Sequence, residues 1–375
     1  MMQWISQGLI LITMIFMLIG AIDHILGNRL GYGESFVEGI NTCGPFILGA
    51  AIMMAIAPYL ATLLLPYLTV LANLFHCDLS VFPSLILCSD MGGYAISIEV
   101  AENEAIGLYN GLVIASIIGA TFTFIVPMAL ALLPKEDHSI LASGVLTGMI
   151  TAPVGCFISG IMMNLTIYHL SIQQIVINLC PIILISIVIV ILLFYFPDQT
   201  IRIFGIIGRG ISILITLLTA LAIFQLITHI HIPYLDYPVI EDSTGYSPFE
   251  KSFVTCGTIA VVLSGAFPMV QWIMKVFSKP LDHLCALLEV DHHTIEGLLS
   301  SSTNHIAGLN TFSLMDTKGK YYTMSFMISG GCVIGDLLGF VAGINPDLLI
   351  PMITGKLIAG MMALLLAKKL YSYLL

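Results

Sequence analysis

Three polar clusters interrupt otherwise apolar sequence. Ser89-Asp90-Met91-Gly92-Gly93 breaks the apolar segment 79–100, and Ser300-Ser301-Ser302-Thr303-Asn304-His305 breaks the segment 296–315. Asp336 stands inside the apolar run 321–344, followed by Leu337-Leu338. An ionisable side chain in such a setting is expensive and is a functional candidate by default. Asp90 sits beside two glycines that permit sharp turns. It is either a ligand for a cation or a cap on a half-helix. The Asn304 amide can accept from an ammonium or donate to a hydroxyl. Ser301, Ser302 and Thr303 can serve the half-helix backbone as readily as a ligand. Asp336 either meets a solute or gate, or neutralises Lys356 in the next apolar run. The Ser89 hydroxyl and Thr151, beside a proline that frees backbone carbonyls, complete the candidate set of Asp90, Asn304, Asp336, Ser89, Thr303 and Thr151.

Other polar groups carry less. Asn110, Thr121, Thr123, Asn164 and Gln225 read as hydrogen-bonding glue between helices. Glu99, Glu102 and Glu104 read as a solvated rim, and Tyr94 as a packing aromatic or a cation–π face. His292 and His293 are adjacent, so they do not share a helix face, and no HExxH pattern accompanies them. The sequence has no phosphate-binding loop, dinucleotide fingerprint or GxSxG. The expectation is a non-enzyme with no metal and no cofactor.

The elements that must position these groups follow from composition. Of 375 residues, 58% are hydrophobic and 9% are charged, whereas a soluble domain is roughly a quarter charged. Too few polar groups remain to cover a water-facing surface, so the partner is the lipid bilayer. A net charge of −10 offers no basic surface for nucleic acid. The long unbroken apolar runs exclude alternating barrel strands. A spanning helix needs about 20 apolar residues. Nine runs qualify, at 4–26, 45–65, 105–133, 139–165, 174–196, 207–230, 252–274, 321–344 and 348–372. Trp4–Leu26 lacks a basic leader and a small-residue cleavage site, so it reads as a retained span. The eight cysteines show no CxxC spacing and read as reduced hydrophobes.

The broken segments 79–100 and 296–315 are poor continuous helices and good re-entrant hairpins. If both return to their own side, Arg29, Lys135, Arg202, Arg209, Lys275, Lys279, Lys318, Lys320, Lys368 and Lys369 fall on one face. The opposite face then holds the amino terminus, Lys251 and the acidic loop with Asp236, Glu241 and Asp242. Positive residues stay cytoplasmic. The expected orientation is therefore amino terminus outside and carboxyl terminus inside. A near-constant offset links Cys43-Gly44 to Cys256-Gly257, Pro66 to Pro280, Asp90 to Asn304, Glu102 to Asp316 and Thr147-Gly148 to Thr354-Gly355. The expected fold is a single all-α polytopic membrane domain, 1–375, of about nine transmembrane helices and two re-entrant hairpins. Its inverted repeat comprises 43–165 and 252–375, each a span, a hairpin and two spans, joined by spans and a loop over 166–251.

Several ordered pieces then resemble the EutH family of ethanolamine-utilisation membrane proteins, nearly end to end. They are Cys88-Ser89-Asp90-Met91-Gly92-Gly93, Thr151-Ala152-Pro153-Val154-Gly155-Cys156, Gly265-Ala266-Phe267-Pro268-Met269, Met315-Asp316-Thr317-Lys318-Gly319-Lys320 and Gly335-Asp336-Leu337-Leu338-Gly339-Phe340. The resemblance implies transport of ethanolamine across the bacterial inner membrane. A small ammonium ion with one hydroxyl suits a carboxylate, an amide and hydroxyl groups. The rival readings are a proton- or cation-coupled symporter of another small polar solute, such as a nucleoside, and a membrane scaffold or sensor. Homo-oligomerisation is left open. Cysteines placed at Lys279 and Lys318, in a cysteine-depleted background, are expected to label from the cytoplasmic side. Labelling from opposite sides would remove the second hairpin.

Overall fold

Backbone N–H and C=O groups find no partner in hydrocarbon, so apolar runs of this length fold as helices. The structure is a computed structural model and describes residues 2–233, 235–239, 245–276 and 288–374, which form helices and connecting turns without strands. Glu241, Asp242, Lys279, Pro280 and Cys285 lie outside the described residues. The elements used below are α1 Met2–Ile25, α2 Tyr32–Phe75, α3 Val81–Ile86 and α4 Gly93–Val100. They continue with α5 Glu104–Gly119, α6 Thr121–Leu132, α7 His138–Met163, α8 Ile172–Tyr195 and α9 Pro197–Thr228. The remainder are α10 Pro248–Val276, α11 His292–Thr303, α12 His305–Asn310, α13 Thr317–Gly330, α14 Asp336–Ile344 and α15 Leu349–Leu374.

Among the described residues, seven helices are long and apolar enough to cross a membrane, and the bent pair α5–α6 makes an eighth. The ninth expected span, 321–344, differs. It is interrupted at residues 331–335, between α13 and α14. The reason lies in its neighbour. Cys332 N–H donates to the Ser301 carbonyl at 2.8 Å, and Ile334 N–H to the Ser302 carbonyl at 3.0 Å. These carbonyls end α11, where a helix leaves its last acceptors without intrahelical partners. The stretch around 331–335 gives up its own helix to supply the donors.

Ion pairs and polar contacts define two ends of the bundle, joined by the 26-residue α7. At one end, Lys320 meets both Asp137 oxygens at 2.8 Å, and Lys368 meets Glu289 at 2.9 Å. Lys318 donates to the Glu289 carbonyl at 2.9 Å. Lys368 and Lys318 together hold the Glu289 carboxyl below its usual range. This is the basic end. At the opposite end, Asn345 donates to the Tyr168 hydroxyl at 2.7 Å, and Asp78 N–H donates to Asn178 at 3.1 Å.

Each broken segment returns to its own starting end. Glu102 N–H donates to the Asp78 carboxylate at 3.0 Å, which closes α3–α4 into a hairpin at the opposite end. The Lys318–Glu289 contacts close α11–α12 into a hairpin at the basic end. The two hairpins therefore enter from opposite ends. Close backbone approach lets each one cross the helix that follows it. A Cβ on Gly119 would lie 2.1 Å from the Leu87 carbonyl oxygen, and one on Gly335 would lie 1.8 Å from that of Thr303.

These crossings predict the effect of a single methyl group. Gly119→Ala and Gly335→Ala are each expected to cost about 1–3 kcal/mol through overpacking, seen as a lower detergent melting temperature. Gly44→Ala meets nothing within 4 Å and should leave the melting temperature unchanged or slightly raised. Equal melting of Gly335→Ala and wild type would mean that the two backbones do not meet.

Candidate functional site

The break in the first hairpin is built from Leu87 and Cys88 in extended conformation, a single turn over Ser89–Met91, and Gly92 at φ 105°. Gly92 has left-handed geometry that glycine adopts without a steric penalty. Cys88 N–H donates to the Thr123 hydroxyl at 3.0 Å, which ties the break to α6. The break in the second hairpin is narrower. Asn304 alone is extended, and its side-chain oxygen caps α12 by accepting from Ile306 N–H at 2.7 Å and Ala307 N–H at 3.2 Å. With its oxygen committed to the cap, the amide nitrogen is left to donate. It reaches the Asp336 carboxylate at 2.6 Å. Asp336 opens α14, where a helix N-terminus favours negative charge. One asparagine thus joins the second hairpin to the interrupted helix that follows it.

The two breaks face one cavity of about 500 Å³. Asp90, Asn304 and Asp336 line it together with Thr42, Thr123 and Ser212, apolar walls from Phe46, Met91, Phe124 and Pro127, and Arg209. Asp90 Oδ1 is buried and has no hydrogen-bond partner. A buried carboxylate oxygen without a donor is costly. It is the atom in this cavity that a cationic or hydroxyl-bearing solute would satisfy. Behind the cavity wall, His305 Nδ1 contacts the Cys332 sulfur at 2.9 Å, and the His305 ring packs 5.6 Å from that of Phe124.

The remaining sequence candidates occupy other positions. Ser89 is buried, its hydroxyl 3.4 Å from the Leu112 carbonyl, and Thr303 bonds back to the Leu299 carbonyl at 3.2 Å. Thr151 joins α7 to α13 through Ser329 at 3.3 Å. None of the three lines the cavity. Tyr94 packs edge-on against Phe340 at 6.2 Å. The alternative reading of Asp336 as the ion-pair partner of Lys356 is not met. The buried Lys356 ammonium donates instead to the Ser116 carbonyl at 2.8 Å. The π-wound turns at Tyr109–Gly119 include that residue, and such winding displaces carbonyls from the regular i→i+4 ladder. Phe124, Thr42, Ser212 and Arg209 are cavity residues that the sequence reading did not select. The signal for Phe124 was its place beside the bend at 119–121, shortly before Pro127.

Opposed interrupted helices around a solute-sized central cavity define an all-α, multi-pass membrane protein with the layout of a secondary transporter. The chain belongs to the EutH family: the family model "Ethanolamine utilisation protein, EutH" matches residues 5–370. It is 38% identical over 360 residues to the "Probable ethanolamine permease EutH" of Listeria monocytogenes, covering 96% of this chain and 92% of that one. It is 35% identical to the "Uncharacterized protein YxeR" of Bacillus subtilis, covering 96% and 93%. It is 32% identical over 385 residues to the "Probable ethanolamine permease EutH" of Salmonella typhimurium, covering 96% and 94%. No solved structure matches the chain.

Contact geometry predicts which charges are coupled. In double-mutant cycles read by melting temperature, Asn304→Ala with Asp336→Ala should show a coupling of about 0.5–3 kcal/mol, as contacting residues do. Asp336→Asn with Lys356→Met should show a smaller coupling, within about 0.5 kcal/mol of additivity, because the Lys356 ammonium bonds the Ser116 carbonyl and makes no direct contact with Asp336. A large coupling in the second cycle would restore the ion pair.

Proposed function

We propose that this protein carries ethanolamine, in its ammonium form, across the bacterial inner membrane as a facilitator. The observation that carries the reading is the unpartnered Asp90 oxygen, buried at a cavity shared with Asn304 and Asp336. The ammonium would sit against Asp90, where a charge-assisted hydrogen bond replaces the water lost on entry. The alcohol would reach Asn304 or Thr123, and Phe124 would offer an apolar face. Relatives bearing the permease name support the choice of substrate.

The orientation belongs to the same proposal. The basic end is cytoplasmic, since positive residues are retained there, with the amino terminus outside and the carboxyl terminus inside. An inverted duplication, 43–165 and 252–375, explains the opposed hairpins. Adding 214 to Leu87 and Gly119 gives Ser301 and Val333. Each hairpin crosses its following helix within one residue of these places, through Leu87–Gly119 in one half and Ser301–Cys332 in the other. Alternating access would then rock the two halves about the cavity.

Asp336 gives the cavity a second carboxylate. With Arg209 also lining the cavity, one ammonium already balances the two carboxylates; the second reading, a proton- or cation-coupled symporter, would have Asp336 carry the coupled proton.

Saturable flux of labelled ethanolamine into proteoliposomes is expected to fall about 10- to 150-fold in Asp90→Asn. That range corresponds to losing a hydrogen bond of about 1.5–3 kcal/mol to a charged group. Wild-type flux in this variant would remove Asp90 from the site. Imposing pH and sodium gradients independently separates the two modes, because only coupled transport responds with accumulation.

A further inference from the structure

A second polar cavity, of about 580 Å³, lies at the basic end and has no role in the proposed transport step. Its walls are the α6–α7 connection and the first turns of α9. Lys135, Arg202 and Arg209 line it, with His138 and one acidic residue, Asp198. Three lysines of this end differ. Lys318, Lys320 and Lys368 each meet a carboxylate. Lys135, Arg202 and Arg209 have no carboxylate within 4 Å among the described residues. His138 adds a buried Nε2 with no hydrogen-bond partner. Three unpaired cations and an unpaired imidazole nitrogen around one cavity call for an anion.

Position decides which anion. α9 has 32 residues, about 48 Å at 1.5 Å per residue, against a hydrocarbon core of about 30 Å. Its charges, Asp198, Arg202 and Arg209, all lie before the uncharged stretch 210–228, which by itself covers about 28 Å, so the surplus length falls at the amino-terminal, basic end and carries those turns to headgroup level. Beside the cavity, Leu132, Ile203 and Ile206 are 45%, 53% and 63% exposed, an apolar flank for acyl chains. Free phosphate has no use for such a flank. We infer that the Lys135–Arg202–Arg209 cavity binds the phosphodiester headgroup of an anionic phospholipid, with its acyl chains along Leu132, Ile203 and Ile206. Basic cavities between helices at this level are suited to such headgroups. Arg209 also lines the central cavity, so a bound headgroup would lie next to that cavity's basic-end wall.

The test uses the full chain, purified and delipidated in detergent, titrated with phosphatidylglycerol, phosphatidylcholine or inorganic phosphate and read by native mass spectrometry and melting temperature. Wild type is expected to retain and be stabilised by phosphatidylglycerol in preference to phosphatidylcholine. Lys135→Gln/Arg202→Gln should weaken phosphatidylglycerol binding about 25-fold, at about fivefold per cation near the surface. If the double variant is poorly folded, Arg202→Gln alone should weaken it about fivefold. Equal binding of the two lipids would overturn the proposal, as would unchanged affinity in folded variants. Displacement of the lipid by equimolar inorganic phosphate would also overturn it, by reducing the cavity to a free-anion site.

Discussion

Three interrupted helices bring unpaired backbone groups into the middle of this bundle, where hydrocarbon offers them no partner. The rest of the architecture answers that constraint. The last carbonyls of α11 accept from Cys332 and Ile334, the Cys88 N–H goes to Thr123, and Asn304 caps α12. Gly119 and Gly335 exist because the partner carbonyls come too close for any side chain. Each break is therefore held by the helix that follows its hairpin. The interruption at 331–335 is part of the same solution.

Once the breaks are satisfied in this way, their tips face one another and enclose a cavity. Its electrostatics follow from which acceptors remain unused. Asn304 spends its oxygen on a helix cap and its nitrogen on Asp336, so the second hairpin contributes a fixed, largely satisfied pair. The first hairpin contributes Asp90 with one oxygen unsatisfied. The cavity is thus asymmetric, although each of the two hairpins that form it contributes one break. Lys356, which could have cancelled a carboxylate, is held away by the Ser116 carbonyl. The cavity therefore holds two carboxylates, Asp90 and Asp336, against one lining cation, Arg209. At the basic end the logic reverses. Lys318, Lys320 and Lys368 are neutralised there by local carboxylates, whereas Lys135, Arg202 and Arg209 surround the second cavity.

Much of this was legible in the sequence. Apolar runs of spanning length fixed the class, because no other backbone arrangement of such runs is stable in lipid. Glycine, serine and asparagine in the midst of apolar runs marked both hairpins, since these residues weaken a helix and offer local partners. Lysine and arginine placement anticipated that each hairpin returns to its own end. Asp90, Asn304 and Asp336 could be selected because a polar group in an apolar run must have a reason.

What only the tertiary structure decided concerns partners between elements. The run 321–344 is long and mostly apolar and reads as one span, although Ser329-Gly330-Gly331 and Gly335 weaken a helix there. Its interruption is imposed by acceptors on α11, thirty residues earlier in the chain. Lys356 has a carboxylate nearby in sequence, yet its partner is a carbonyl exposed by the π-wound turns of α5. Phe124 and Arg209 become cavity walls because α6 and α9 pass the hairpin tips. Thr151, Ser89 and Thr303 do not reach the cavity, because their hydroxyls find partners on their own or adjacent helices. Sequence reports the cost of a polar group or a broken helix in lipid. Which group meets that cost depends on which backbones the fold brings within 3 Å, and that is a property of packing.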